Sequence, residues 1–385
     1  MHYFCSIRNW IGLMKSCLDN RNASGSIGLT ACHWAAVILL VCLIGRPASA
    51  VIISSGNGQT GIDPSNTLTG NVGYSSTGNA SVTYLGNDWA ITANHVYTGS
   101  PATLTSPEVP ANVSIGGNSY PVDEASTTQL KNADSSYADL KLIHIETGGA
   151  NPAAPALPTL QVASSSLALG ATVEMVGNGQ NLNVDESGSP VQYYWNVTGD
   201  PMSPTWTQTY ATMDNPQPGN YSGYETLDSN TIRYGENDVA TVTAPAPFYD
   251  GTDYNTSMFL TQFNNSYYTG GTVYPDEAQA TSGDSGGAVF SYIGGQWVLA
   301  GIMVAEGVFV NQPTNVSPTV ASGNGTAVFG DASYIADLSV YQSQILAVVP
   351  EPSSLVLVAL GSLGLLFAAV LRRHRRACKP DGDLA

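Results

Sequence analysis

Apolar residues in the middle of the chain come in short runs, separated by clusters of Gly, Asn, Asp, Ser and Pro. No long stretch repeats them at helical spacing, so the pattern predicts an all-β fold. The segment "SVTYLGNDWAITANHV" is the clearest case: Val82 to Leu85 reads as one strand, Gly86-Asn87-Asp88 as a turn, and Trp89 to Ala93 as the next strand. "SYADLKLIHIE" alternates Leu140, Leu142 and His144 on one face with Lys141, Ile143 and Ile145 on the other. Gly170 to Gly179 and Gly294 to Val304 continue the pattern. Residues 148–158 read "GGANPAAPALP", a proline and glycine density that suits a linker and not a central strand. This divides the middle into residues 51–150 and 151–347. The polar, aromatic stretch from Asp185 to Asn230 reads as large surface loops.

The ends follow other rules. Trp34 to Ile44 is apolar but too short to span a bilayer, basic residues (Arg8, Lys15, Arg21) precede it, and Ala48-Ser49-Ala50 follows. That order predicts a signal peptide over residues 1–50, cut by signal peptidase, with Met14 as an alternative start. Near the other end, residues 354–371 are uncharged, and as a helix would be about 27 Å long, close to the hydrocarbon thickness of a bilayer. Arg372, Arg373, Arg375 and Arg376 then supply a positive stop. By itself this is a plain C-terminal membrane anchor. With Pro350-Glu351-Pro352 in front, residues 348–385 resemble the PEP-CTERM sorting tag of Gram-negative bacteria. The resemblance implies transient anchoring in the inner membrane, processing by an exosortase, and delivery to the cell envelope or extracellular matrix.

All five cysteines (Cys5, Cys17, Cys32, Cys42, Cys378) lie outside residues 51–349, so the exported part has no disulfide or thiol and is held by its core alone. Its only basic residues are Lys131, Lys141 and Arg233, against 25 acids, a net charge of −22. Such a surface repels nucleic acid and anionic lipid and keeps an exported protein in solution. No cluster has metal-ligand spacing and no cofactor is implied, although the acidic loop "YPDEAQ" (274–279) would suit weak Ca²⁺ binding.

One stretch suggests chemistry. "TSGDSGGAVF" (281–290) sets Ser285 among three glycines, where little side-chain bulk surrounds it. A serine hydroxyl becomes a nucleophile only with a base, a group to orient that base, and donors for the oxyanion. Residues 51–349 hold two histidines, His95 and His144. His95 sits where a strand gives way to a loop; His144 sits inside a strand and reads as a structural residue. Asp139, at the start of a core strand, is the better orienting acid, and Asp134, in the polar "KNADSS", is the alternative.

"ITANHV", "DLKLI" and "GDSGGAVF" resemble, in that order, the "TAAHC", "DIALL" and "GDSGGPLV" motifs of trypsin-like (chymotrypsin-fold) serine proteases. The resemblance implies two six-stranded antiparallel β-barrels with the active site in the cleft between them. It also implies a triad of His95, Asp139 and Ser285 and an oxyanion hole from the N–H groups of Gly283 and Ser285. In zymogen-activated relatives the acid at Asp284 pairs with a freed N-terminal amine, here that of Val51. By alignment Gln279 stands at the base of the specificity pocket and Val304 and Glu306 on its wall. The chain departs from the family in several places. No cysteine follows His95, Thr281 replaces a disulfide partner, and Gln279 is not an acid, so cleavage after Lys or Arg does not follow. The expected activity is serine endopeptidase; a silent surface-binding protein and an esterase with the same triad are the competing readings.

Overall fold

Short strands closed by tight turns build two barrels. The structure, a computed structural model, describes residues 51–54, 59–60, 63–75, 79–98, 111–185, 189–209, 220–227, 231–247, 255–265, 272–314, 316 and 325–349. The expected leader and the apolar span 354–371 lie outside the described residues; among those described, no helix is long and apolar enough to cross a membrane.

In the first barrel, Val72–Ser75, Ala80–Gly86, Trp89–Thr92, Tyr137–Ile145, Asn118–Lys131 and Asn112–Ile115 pair in that order and close on themselves. The hairpin at its start turns through Asn87 (φ 51°) and Asp88 (φ 65°), with Gly86 facing Trp89. Both central residues have positive φ, as the two-residue hairpin turn that matches strand twist requires, and Asn and Asp tolerate it. Val82, Ala90, Ile115, Ile143 and Ile145 fill the interior.

The second barrel runs Asn255–Gln262, Ala332–Asp337, Gln296–Gly307, Ala288–Ile293, Thr172–Gly177 and Arg233–Pro247. It closes where the long last strand turns from pairing with Thr172–Gly177 to pairing with Asn255–Gln262. The largest apolar cluster takes Leu85, Ile91, Leu140 and Leu142 from the first barrel and Val176, Phe290 and Ile302 from the second. It is the seam that fixes the cleft. This is the expected two-barrel, all-β architecture.

Three elements differ from the sequence expectation. Within 185–230, read as loops, Gln192–Asp200, Ser203–Thr209 and Asn220–Leu227 are strands of an additional sheet, joined by Asn181–Leu182 and Thr326–Val328. Its aromatic residues pack on one another, with Trp195 buried and Trp206, Tyr221 and Phe309 against it. Aromatic and threonine side chains pack well on a pleated sheet despite their polar company. Leu338–Val348 is a helix, begun by Asp337, whose carboxylate accepts from Ser339 N–H, and seated through Leu338, Tyr341 and Ile345. Finally, Ile52–Ile53 pairs with Ala278–Gln279 and Gln59–Thr60 with Arg233–Tyr234. Chain order assigns this segment to the first barrel, but its hydrogen bonds go to the second.

Glu174, on a second-barrel strand, is buried. Burial and the neighbouring Asp63 carboxyl push it up to about 9. A folded-state value above the unfolded one means the fold holds a proton that the unfolded chain has released. Stability from this group is therefore present below about pH 4.5 and is lost as pH rises toward 9, costing about 3 kcal/mol by pH 7. Glu174→Gln is expected to match the wild type near pH 4 and to exceed it by most of that amount at pH 8, measured by urea unfolding at both.

Candidate active site

Each reactive side chain is fixed by its own backbone. His95 opens the short helix His95–Thr98, just after the strand Trp89–Thr92. Its backbone N–H donates to Asp139 Oδ1 at 2.7 Å, and its ring Nδ1 lies 2.6 Å from Asp139 Oδ2. The carboxylate thus grips both the main chain and the ring of one residue. Asp139 is fully buried, and its own N–H donates to Thr256 Oγ1 at 2.9 Å, tying it to the second barrel. With Nδ1–H donating to the acid, Nε2 is left as an acceptor, and Ser285 Oγ is 3.1 Å from it.

The turn bearing Ser285 is wound around Asp284. Its Oδ2 accepts from the N–H and hydroxyl of Thr281 at 2.8 and 3.0 Å. Its Oδ1 accepts from Gly179 N–H at 2.8 Å and from Val51 N–H at 3.3 Å. Burial pushes this carboxyl up to about 6. Gly283 has φ +95°, and a Cβ there would sit 2.8 Å from Gly179 Cα, so only glycine fits. The first barrel holds the turn from the other side. Ser81 N–H donates to Ser285 C=O, Ser81 Oγ to Gly283 C=O and Thr83 Oγ1 to Gly286 C=O. The N–H groups of Gly283 and Ser285 donate to no acceptor among the described residues.

A cleft of about 510 Å³ opens over these groups, lined by His95, Ser285, Gly283, Thr281, Met303, Val304, Ala305 and Glu306, with Asn79 and Ala80 at its edge. Val304 and Glu306, expected on a pocket wall, both line this cleft. Gln279 does not line the cleft. It is buried behind it, its amide donating to Ala332 C=O and accepting from Ser333 Oγ. Pairing of the chain's Ile52 opposite Gln279 fixes that orientation. Glu306 is reached by solvent through the cleft yet walled by protein. Desolvation and the Asp284 charge push it up to about 7. Asp331, buried nearby, is also raised to about 7, chiefly by burial, with the Glu306 charge contributing.

His144 lies elsewhere, half-buried against the Trp89 ring with Asp123 3.6 Å from its Nδ1. Asp134 caps a surface turn through Ser136. Ser81, Thr83 and Thr256 carried no sequence signal of their own, because strand and loop serines and threonines are common. Thr281 carried one, as the residue in a cysteine's usual place. Among the described residues no group of three His, Cys, Asp or Glu side chains is arranged to hold a metal ion.

Residues 348–376 match the PEP-CTERM protein-sorting motif. The motif marks an exported bacterial surface protein and implies processing by an exosortase. No curated protein matches the chain. Among solved structures, the chain is similar to mouse neuropsin, described as a serine protease expressed in the limbic system of the brain. The two are 15% identical, the match covers 76% of this chain and 98% of that one, and the TM-score is 0.41.

Proposed function

We propose that the protein is an exported serine endopeptidase in which Ser285 is the nucleophile, His95 the general base and Asp139 the orienting acid. It would cross the inner membrane with its leader, rest there through residues 354–371, and act in the cell envelope or matrix after sorting. One observation carries the reading: the Asp139–His95–Ser285 relay, at 2.6 and 3.1 Å, ends beside two backbone N–H groups that have no acceptor among the described residues. A structural serine needs neither.

In the reaction, Ser285 Oγ attacks the scissile carbonyl carbon as His95 Nε2 takes its proton. The carbonyl oxygen becomes an oxyanion and accepts from Gly283 and Ser285 N–H. Asp139 holds the ring in the required tautomer and stabilises the imidazolium. Collapse breaks the C–N bond, His95 returns the proton to the leaving amine, and an acyl-Ser285 remains. Water, deprotonated by His95, then releases the acid. The testing experiment is intact-mass spectrometry after fluorophosphonate exposure. One adduct on Ser285, absent in His95→Ala, is expected; no adduct on the leader-free wild type would favour a silent binding protein. Parallel peptide and ester substrates separate a peptidase from an esterase.

Glu306 gives the cleft a preference. Its carboxylate stands in a cleft whose lining, among the described residues, includes no Lys or Arg, which suits a cationic substrate side chain. Glu306→Gln is expected to lower the kcat/KM ratio of Lys to Met substrates about tenfold at pH 8.5. With Glu306 titrating near 7, wild type and variant should converge at pH 6. Taking a ratio of substrates removes the common titration of His95.

A further inference from the structure

Lys141 is the unexplained residue near the site. It lies two residues after Asp139 on the strand Tyr137–Ile145, on the face that sends Ile143 and Ile145 into the first barrel. Leu140 and Leu142 point the other way, into the seam between barrels. Lys141 is 2% exposed, and its Nζ, with essentially no solvent contact, makes no hydrogen bond among the described residues. The side chain therefore does not snorkel to water, as lysines in apolar surroundings usually do. Around it stand Asp139 on its own strand, Glu124 on the neighbouring strand, and Tyr97, whose ring centroid is 5.9 Å from Nζ. The Tyr97 hydroxyl is buried beside the Ser75 and Thr92 hydroxyls, and burial pushes it well above the ordinary tyrosine range. Tyr97 is two residues from His95 on the same short helix.

A methionine would fill this space without burying an amine. Removing a charge from water is costly unless opposite charges offset it, here those of Asp139 and Glu124. Residues i and i+2 of a strand are about 6.6 Å apart on one face, and the charge of Lys141 reaches Asp139 through protein, not solvent. Burial opposes the ammonium, and the Asp139 and Glu124 carboxylates favour it; together they leave Lys141 below the ordinary lysine range.

We propose that Lys141 is a positioning residue for the His95–Asp139 pair, a cation sealed in the first barrel that opposes protonation of the His95 imidazole and extends activity to lower pH. The inference rests on the proposed role of His95 as base.

The test reads His95 directly, without substrate. The full chain, labelled with 13C in its histidine rings, is titrated by NMR as wild type, Lys141→Met and Lys141→Arg, with His95→Gln used for assignment. Lys141→Met is expected to raise the His95 midpoint by about 0.5–1 pH unit, the effect of one charge several ångströms away at an intermediate dielectric. Lys141→Arg should keep it near the wild-type value. The acid limb of kcat/KM should move by the same amount in the same direction. A folded Lys141→Met chain with an unmoved His95 midpoint overturns the proposal. If that variant does not fold, 13Cε-labelled lysine in the wild type decides. Lys141 must stay protonated throughout the His95 titration, and a neutral Lys141 there overturns it equally. Absence of hydrolysis by the wild type would count against the peptidase reading alone, since the imidazole midpoint is independent of turnover.

Discussion

Ser285→Ala is expected to lower kcat/KM for peptide hydrolysis by about 10⁴–10⁶ and to abolish the fluorophosphonate adduct. In the proposed mechanism Ser285 Oγ, 3.1 Å from His95 Nε2, is the nucleophile and His95 the base, and His144 is on another face of the barrel. His95→Ala should cost a similar factor, because the base and the nucleophile act as a unit. The double variant should then lose almost nothing more. Whatever rate survives comes from the cleft and the free N–H groups of Gly283 and Ser285, so it should be similar in all three variants. Steady-state kinetics on one peptide, with thermal unfolding to show that each variant folds, checks this. A Ser285→Ala chain that keeps wild-type turnover would falsify the serine mechanism.

The second large effect concerns the start of the exported chain. Val51 is 0% exposed, and its nitrogen lies 3.3 Å from Asp284 Oδ1, the carboxylate around which the Ser285 turn is wound. Gly177 leaves room for this contact, since a Cβ there would strike Asp284 Oδ1 and Val51 Cγ2. While Ala50 is attached, this nitrogen is an amide and brings no charge to a buried acid. Cleavage after Ala50 would make it an ammonium in the same place. A buried pair of that kind differs from its broken form by about 3–5 kcal/mol, or roughly 10²–10³ in the population of the ordered turn. The chain ending its leader at Ala50 is therefore expected to react with fluorophosphonate about 10²–10³ times faster than the uncleaved chain.

The pH dependence has a definite sign. In the uncleaved chain Asp284 is raised to about 6, so its contribution favours the fold at low pH and is lost as pH rises from about 4 toward 6. In the cleaved chain the ammonium favours the charged carboxylate and reverses that loss. The difference between the two chains should open as pH rises from about 4 toward 6, hold above 6, and close again once the α-amine deprotonates, above about pH 8. Asp284→Asn should remove the difference at every pH. Equal reactivity of cleaved and uncleaved chains across this range would show that Val51 plays no part in ordering the turn.

Much of this was legible along the chain, and the limit falls at an identifiable place. Alternation and turn residues marked the strands around Asn87-Asp88 and the strand carrying Asp139, because local sterics decide φ at a two-residue turn and a period of two decides which residues share a face. The chemistry-bearing residues were legible because so few were available: two histidines in the exported part, and one serine framed by glycines. The strands within 185–230 were not, since their polar, aromatic composition is shared with surface loops and packing among Trp195, Trp206 and Phe309 makes them regular, and the helix Leu338–Val348 was not, since it is seated by Leu338, Tyr341 and Ile345 in the cluster between the barrels. Nor could alignment tell Gln279 from Glu306 as a cleft residue. A strand turns alternate side chains to opposite faces, and pairing with Ile52, more than 200 residues away, decided which face Gln279 shows. The burial of Lys141 belongs to the same class. The sequence by itself determined the barrel strands and the sorting motif at the C-terminal end. Tertiary structure alone decided which side chains share an enclosed space, because closure of a barrel and pairing across hundreds of residues are properties of no local stretch.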